Sequence, residues 1–110
     1  MATIYNLAID QGTDLQTTVS VTDSSGSARD LSNATARAQL RRSYFSESNV
    51  QFTVNIDNPS NGEVVMSLTN AQTANLKYGR YVYDLELVDS GNVERILEGI
   101  VTVYPEVTKA

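Results

Sequence analysis

Residues 80–104 read RYVYDLELVDSGNVERILEGIVTVY. In the first arm Tyr81, Tyr83, Leu85 and Leu87 alternate with Val82, Asp84, Glu86 and Val88. A period of two places one set on an aromatic and aliphatic face and the other on a mixed face. Asp89-Ser90-Gly91-Asn92 is a turn, because Gly and Asn accept positive φ and Asp and Ser bond back to the backbone. The second arm returns with Leu97, Val101 and Val103 inward. On this register Val82, Val88, Ile96, Ile100 and Tyr104 lie outward, among Asp84, Glu86, Glu94 and Glu98. The stretch is a long β-hairpin that supplies most of the core aromatics.

Working back towards the N-terminus, the same period recurs between turn signals. Thr3 to Ile9 is a first strand and Leu15 to Thr22 a second, with Leu15, Thr17, Val19 and Val21 inward. Leu31 lies under the crossing that follows. Ala34 to Ser43 is a third strand, Val50 to Ile56 a fourth, and Val64 to Thr69 a fifth. Asp57-Asn58-Pro59-Ser60-Asn61-Gly62 is the strongest turn. Asn70 to Leu76 breaks the alternation and suits one short helical turn, with Asn70 as its N-cap. Seven short strands with frequent turns predict an all-β, antiparallel sandwich. The expected organisation is a single domain over residues 1–104 and a flexible tail over 105–110, since Pro105 stops the last strand.

Composition excludes several functions. The chain has 110 residues and a net charge of −5, with 8 Lys and Arg scattered along it. Nucleic-acid binding relies on clustered basic residues, so no nucleic-acid partner is expected. There is no Cys and no His. Thiolate metal sites and His-based triads are therefore impossible. The opening MATIYNLAIDQG has no basic segment ahead of an apolar one, which predicts no secretory leader. No apolar run approaches the ~20 residues of a membrane-spanning helix. Asp10, Asp14, Asp23, Asp57 and Asp89 sit at turns, where backbone bonding explains them without calcium. No nucleophile elbow, phosphate-cradling loop or opposed carboxylate pair is present. The expectation is no enzyme, no cofactor and no metal.

Three features invite a structural or docking reading. Leu76-x-x-Gly79-x-Tyr81 resembles the tyrosine corner of immunoglobulin-like sandwiches, in which a Tyr near the start of the penultimate strand bonds to upstream backbone. The resemblance implies that fold, without the Trp and Cys of antibody domains. Arg37 and Arg41 on the third strand would then face Asp84 and Glu86 across adjacent strands. Interface candidates are Val82, Val88, Ile96, Ile100 and Tyr104 on the outer hairpin face, and Tyr44 and Phe45 in the loop 43–49. A bulge at Gly99 would swap the faces of the last strand.

Several stretches carry a wider resemblance: IYNLAIDQGTDLQTTVSVTDSSG, ATARAQLRRSYFS, PSNGEVVMSLTNAQT and GRYVYDLELVDSGNVERILEGIVTVYPEVT. From about Ile4 to Thr108 they are similar to small virion proteins of tailed phages, cyanophages especially, and to immunoglobulin-like modules of baseplate proteins. The resemblance implies a tail, neck, baseplate or head-decoration component, made in the host cytoplasm and carried in the virion. Its implied partners are other phage structural proteins, with self-association as a further outcome. It implies no chemistry. The alternative is a carbohydrate- or host-surface-binding sandwich module, for which Tyr44, Phe45 and Tyr78 are the available aromatics.

Overall fold

The computed structural model of the chain describes residues 2–47 and 49–108. In order, its elements are β1 (Thr3–Ile4), β2 (Leu7–Asp10), β3 (Leu15–Ser20), β4 (Ala34–Arg41), β5 (Val50–Gln51) and β6 (Thr53–Asn58). A 3₁₀ turn (Pro59–Asn61), β7 (Glu63–Leu68), α1 (Asn70–Ala74), β8 (Gly79–Asp89) and β9 (Asn92–Tyr104) follow. One sheet runs β1-β9-β8-β4-β5, with β2 also on β9; the other runs β3-β7-β6. The third, seventh and sixth strands lie in one layer and the fourth, eighth and ninth in the other. That is the immunoglobulin-like distribution, so the chain is an all-β sandwich. The pairing is antiparallel apart from β1 and β2, which run parallel to β9.

The core fills the space between the layers. Tyr81, Tyr83, Leu85 and Leu87 of β8 and Leu97, Val101 and Val103 of β9 are buried, as their alternation predicts. They meet Val64, Met66 and Leu68 from β7, Leu7 and Ile9 from β2, and Leu31 from the crossing. Fully burying each such aliphatic side chain is worth about 1.5–3 kcal/mol, so the hairpin and β7 carry much of the fold's stability.

Two of the expected strands are broken. The first divides at Tyr5-Asn6, where the Asn6 side chain accepts the Ile100 amide at 3.0 Å. The fourth changes sheets: β5 pairs with β4, β6 pairs with β7, and buried Phe52 is the corner between them. The helical turn also begins one residue earlier than expected. Thr69, not Asn70, is its N-cap, in a reciprocal capping box with Gln72. Asn70 is the first helical residue, and its amide is taken by the Asp14 carboxylate at 2.7 Å.

The tail is tied through Glu106, whose amide donates to the Gln11 side chain at 3.1 Å. The Gln11 amide group in turn donates to the Leu76 carbonyl at 2.7 Å. The last two residues of the expected flexible tail, 109–110, lie outside the described residues.

Candidate docking face

The outer surface of β4, β8 and β9 is built in rows, because residues opposite one another in a sheet share a face. Thr35, Val88 and Val93 make one row. Arg37, Glu86 and Arg95 make the next, then Gln39, Asp84 and Glu98, then Arg41, Val82 and Ile100. The apolar positions therefore do not form a continuous stripe. They flank a charged band, with Val88 and Val93 at one end and Val82 and Ile100 at the other.

The band is laced by ion pairs across its strands. Arg37 Nε lies 2.8 Å from Glu86, the cross-strand pair that the alternation of β4 and β8 predicts. Arg95 reaches Asp84 at 3.4 Å and Glu98 at 3.9 Å. Asp84 does not pair with Arg41. Instead Arg41 donates to the Ser46 carbonyl at 2.6 Å and to Gln39 Oε1 at 2.9 Å, which anchors the loop after β4 to the sheet. Burial pushes the Asp84 carboxyl up, and the neighbouring Glu86 adds to this while Arg95 opposes it. A concavity of about 300 Å³ opens here, lined by Arg37, Gln39, Arg41, Tyr44, Val82 and Asp84 among others.

Each expected interface residue has a definite place. Val82 and Ile100 are neighbours on the outer face, half-buried and exposed respectively. Val88 faces Val93 at the opposite end. Tyr44 overhangs the concavity, and Phe45 beside it is 96% exposed. Tyr104 is exposed at the end of β9, beside Asp10 of β2.

Ile96 departs from the expectation. The β8–β9 register passes from Leu85↔Leu97 to Glu86↔Arg95, so Ile96 is the extra residue of a β-bulge. It packs against the core instead of facing outward, and Arg95 takes its place on the outer face. The bulge lies at Ile96 and not at Gly99. Gly99 has another role: a Cβ there would sit 2.3 Å from the Tyr5 carbonyl oxygen, so the first strand can run this close to β9 at its break only beside a glycine.

The tyrosine corner is present and carries an additional residue. Tyr81 Oη donates to the Lys77 carbonyl at 2.7 Å. The Arg42 guanidinium lies 4.6 Å from the centre of the Tyr81 ring and donates to the carbonyls of Tyr78 and Arg80. Gly79 has φ 128°, and a Cβ there would fall 2.5 Å from an Arg42 nitrogen. Arg42 thus clamps the corner to the loop carrying Tyr44 and Phe45. The doublet Arg41-Arg42 at the end of a strand is its only trace in the sequence.

The turn aspartates serve the backbone and each other's neighbours. Asp23 and Asp30 accept from the amides and hydroxyls of Ser25 and Ser32, which holds both carboxyls below their usual range. Asp89 pairs with Arg29, which also reaches Glu94. Among the described residues no three His, Cys, Asp or Glu side chains gather as metal ligands.

No family model matches the chain, and no curated protein matches it. Among solved structures, InlP of Listeria monocytogenes matches at a TM-score of 0.49 and 13% identity, over 94% of this chain and 28% of that one. Murine CRIg matches at a TM-score of 0.44 and 10% identity, over 92% of each. The chain spans less than a third of the InlP chain. These likenesses are of overall shape and carry no functional argument.

Proposed function

We propose that the chain is a non-catalytic docking module, a structural or assembly component of a tailed-phage particle made in the host cytoplasm. The observation that carries the docking reading is the outer face of β4, β8 and β9. Its three arginines and three carboxylates are interspersed on one face in a chain of net charge −5. Apolar Val82 and Ile100 lie beside them, and Val82 shares the concavity with Tyr44. A partner placed on this face would bury the aliphatic and aromatic groups for affinity. It would meet the fixed charges for orientation. The resemblance of residues 4–108 to small virion proteins supplies the phage context.

The test is mass spectrometry of particles purified from the phage that encodes the chain, with cross-linking to find its neighbour. The reading expects the chain in the particle, cross-linked through the outer face to another structural protein. Its absence from purified particles would reject the virion role.

A second reading is carbohydrate or host-surface binding, favoured by the exposure of Tyr44, Phe45 and Tyr78 at 69%, 96% and 66%. It expects saturable binding on a glycan array that is lost on Tyr44→Ala. The docking reading expects none.

A further inference from the structure

Among the described residues the sandwich has four sheet edges, and three are made of short, interrupted or charged strand segments. β5 spans two residues. The β1–β2 edge is interrupted at Tyr5-Asn6. β6 shifts register between Asn55 and Asn58, carries Asp57, and runs into Pro59. Short strands, bulges, charges and proline are the devices by which edges refuse a partner.

β3 has none of them. Its six residues, Leu15-Gln16-Thr17-Thr18-Val19-Ser20, contain no charge, Pro or Gly. Their register with β7 is unbroken from Leu15↔Leu68 to Ser20↔Glu63. Among the described residues no strand lies on the other side of β3. In a constant-type immunoglobulin sandwich the opening strand belongs to this sheet; here it pairs with β9 and leaves the edge open.

The backbone groups on that edge can be assigned. The Val21 amide donates to the Gly62 carbonyl at 2.8 Å, on the β7 side. By alternation the N–H and C=O of Gln16, Thr18 and Ser20 point to the open side. The inward residues Leu15, Thr17 and Val19 are only half-buried, whereas Val64, Met66 and Leu68 on β7 are at most 2% exposed. A shallow groove bordered by Thr3, Val19, Val21, Ile96 and Leu97 runs beside them.

We propose that β3 is a self-pairing edge, at which a second copy of the chain adds its own β3 antiparallel and joins two three-stranded sheets into one. The register is self-complementary. A two-fold axis through Thr18 sets Thr18 against Thr18 and Gln16 against Ser20 of the second copy. Each of these pairs exchanges two backbone hydrogen bonds, and the inner faces of both sheets stay on the same side. Two chains of net charge −5 repel each other, and an uncharged strand lets them meet without like charges in contact. This contact is independent of the outer face of β4, β8 and β9.

The experiment is light scattering after size-exclusion chromatography, from low micromolar to near-millimolar concentration. It compares wild type with Thr18→Pro, Thr18→Lys and the pair Val82→Glu with Ile100→Glu. Proline is tolerated on an edge where the lost N–H faces solvent, so T18P retains the fold. Wild type is expected at the mass of two 12.0 kDa chains, and the outer-face pair likewise. T18P and T18K are each expected to weaken the dimer by at least about tenfold, or 1.4 kcal/mol, with unchanged circular dichroism. If T18P does not fold, T18K decides, together with hydrogen exchange at the amides of Gln16, Thr18 and Ser20. Those amides are expected to slow as wild-type concentration rises. A wild-type monomer throughout, a dimer indifferent to both Thr18 variants, or one dissolved by the outer-face pair would overturn the proposal.

Discussion

Tyr83 Oη donates to the backbone carbonyl of Tyr5, 78 residues away in sequence. The bond ties the centre of β8 to the break between β1 and β2. It passes the one position on β9, Gly99, that has no side chain to block the approach of the Tyr5 carbonyl: Tyr83 and Gly99 are directly opposed. The break in the first strand, the glycine and the tyrosine are thus one device that holds the opening strand in the larger sheet.

Tyr83→Phe removes the donor and leaves a carbonyl unpaired. It should cost about 1–2 kcal/mol in urea unfolding. Gly99→Ala should cost more, about 1–3 kcal/mol from overpacking, and should speed exchange at the Tyr5 amide, which donates to Glu98. If Gly99→Ala proved neutral, the carbonyl would not be held over that position.

Burial raises the Tyr83 hydroxyl to about 12 from its ordinary 10.0. The unfolded chain therefore gives up this proton at lower pH than the folded one. Stability should be unaffected below pH 10.0 and should fall as pH rises from there to about 12. The alkaline loss should be smaller in Tyr83→Phe, measured as the urea midpoint against pH relative to wild type.

Asp84 makes the opposite end of the pH scale informative. Its carboxyl is raised by burial and by Glu86, so ionisation opposes folding. That penalty is full at neutral pH, shrinks as pH falls through the raised folded value, and is gone below the ordinary 3.8. Asp23 and Asp30 are lowered, so their contribution is full above 3.8 and is lost as pH falls through their folded values. Asp84→Asn should abolish the first effect alone, so the mutant should lose the mildly acidic gain in thermal midpoint and keep the loss at lower pH.

Arg42 should matter more than an exposed arginine usually does. Arg42→Ala removes a ring contact worth about 0.5–1 kcal/mol and two bonds to carbonyls. Arg42→Lys should rescue little, because one ammonium cannot bond both carbonyls and cover the Tyr81 ring. By contrast, the Arg37–Glu86 pair has an arginine side chain 62% exposed. A double-mutant cycle on it should give under about 1 kcal/mol, diminishing with salt.

The inner face of β8, the Tyr81 corner and the Arg37–Glu86 pair follow from alternation and one short motif, and all were legible in the sequence. Ile96 was not. VERIL breaks the alternation, with two charged residues followed by two apolar ones, but the break marks a bulge, and says which residue is extra, only once the partner strand is known. The change of sheet at Phe52 was hidden because Val50 to Ile56 alternates smoothly through the corner. Arg42 escaped because its hydrogen-bond partners are backbone carbonyls, which carry no residue identity, and its ring partner, Tyr81, is 39 residues away. The concavity needed the rows of three strands to be aligned, which no single stretch contains.

The central claim is that the outer face carrying Val82, Ile100 and Tyr44 docks the chain into a particle. The most direct measurement is quantitative mass spectrometry of particles assembled with wild type or with Val82→Glu and Ile100→Glu together, after circular dichroism has established that the variant folds. The account predicts wild type in the particle at fixed stoichiometry and the folded variant excluded. Equal incorporation of the variant, or absence of both, would contradict it.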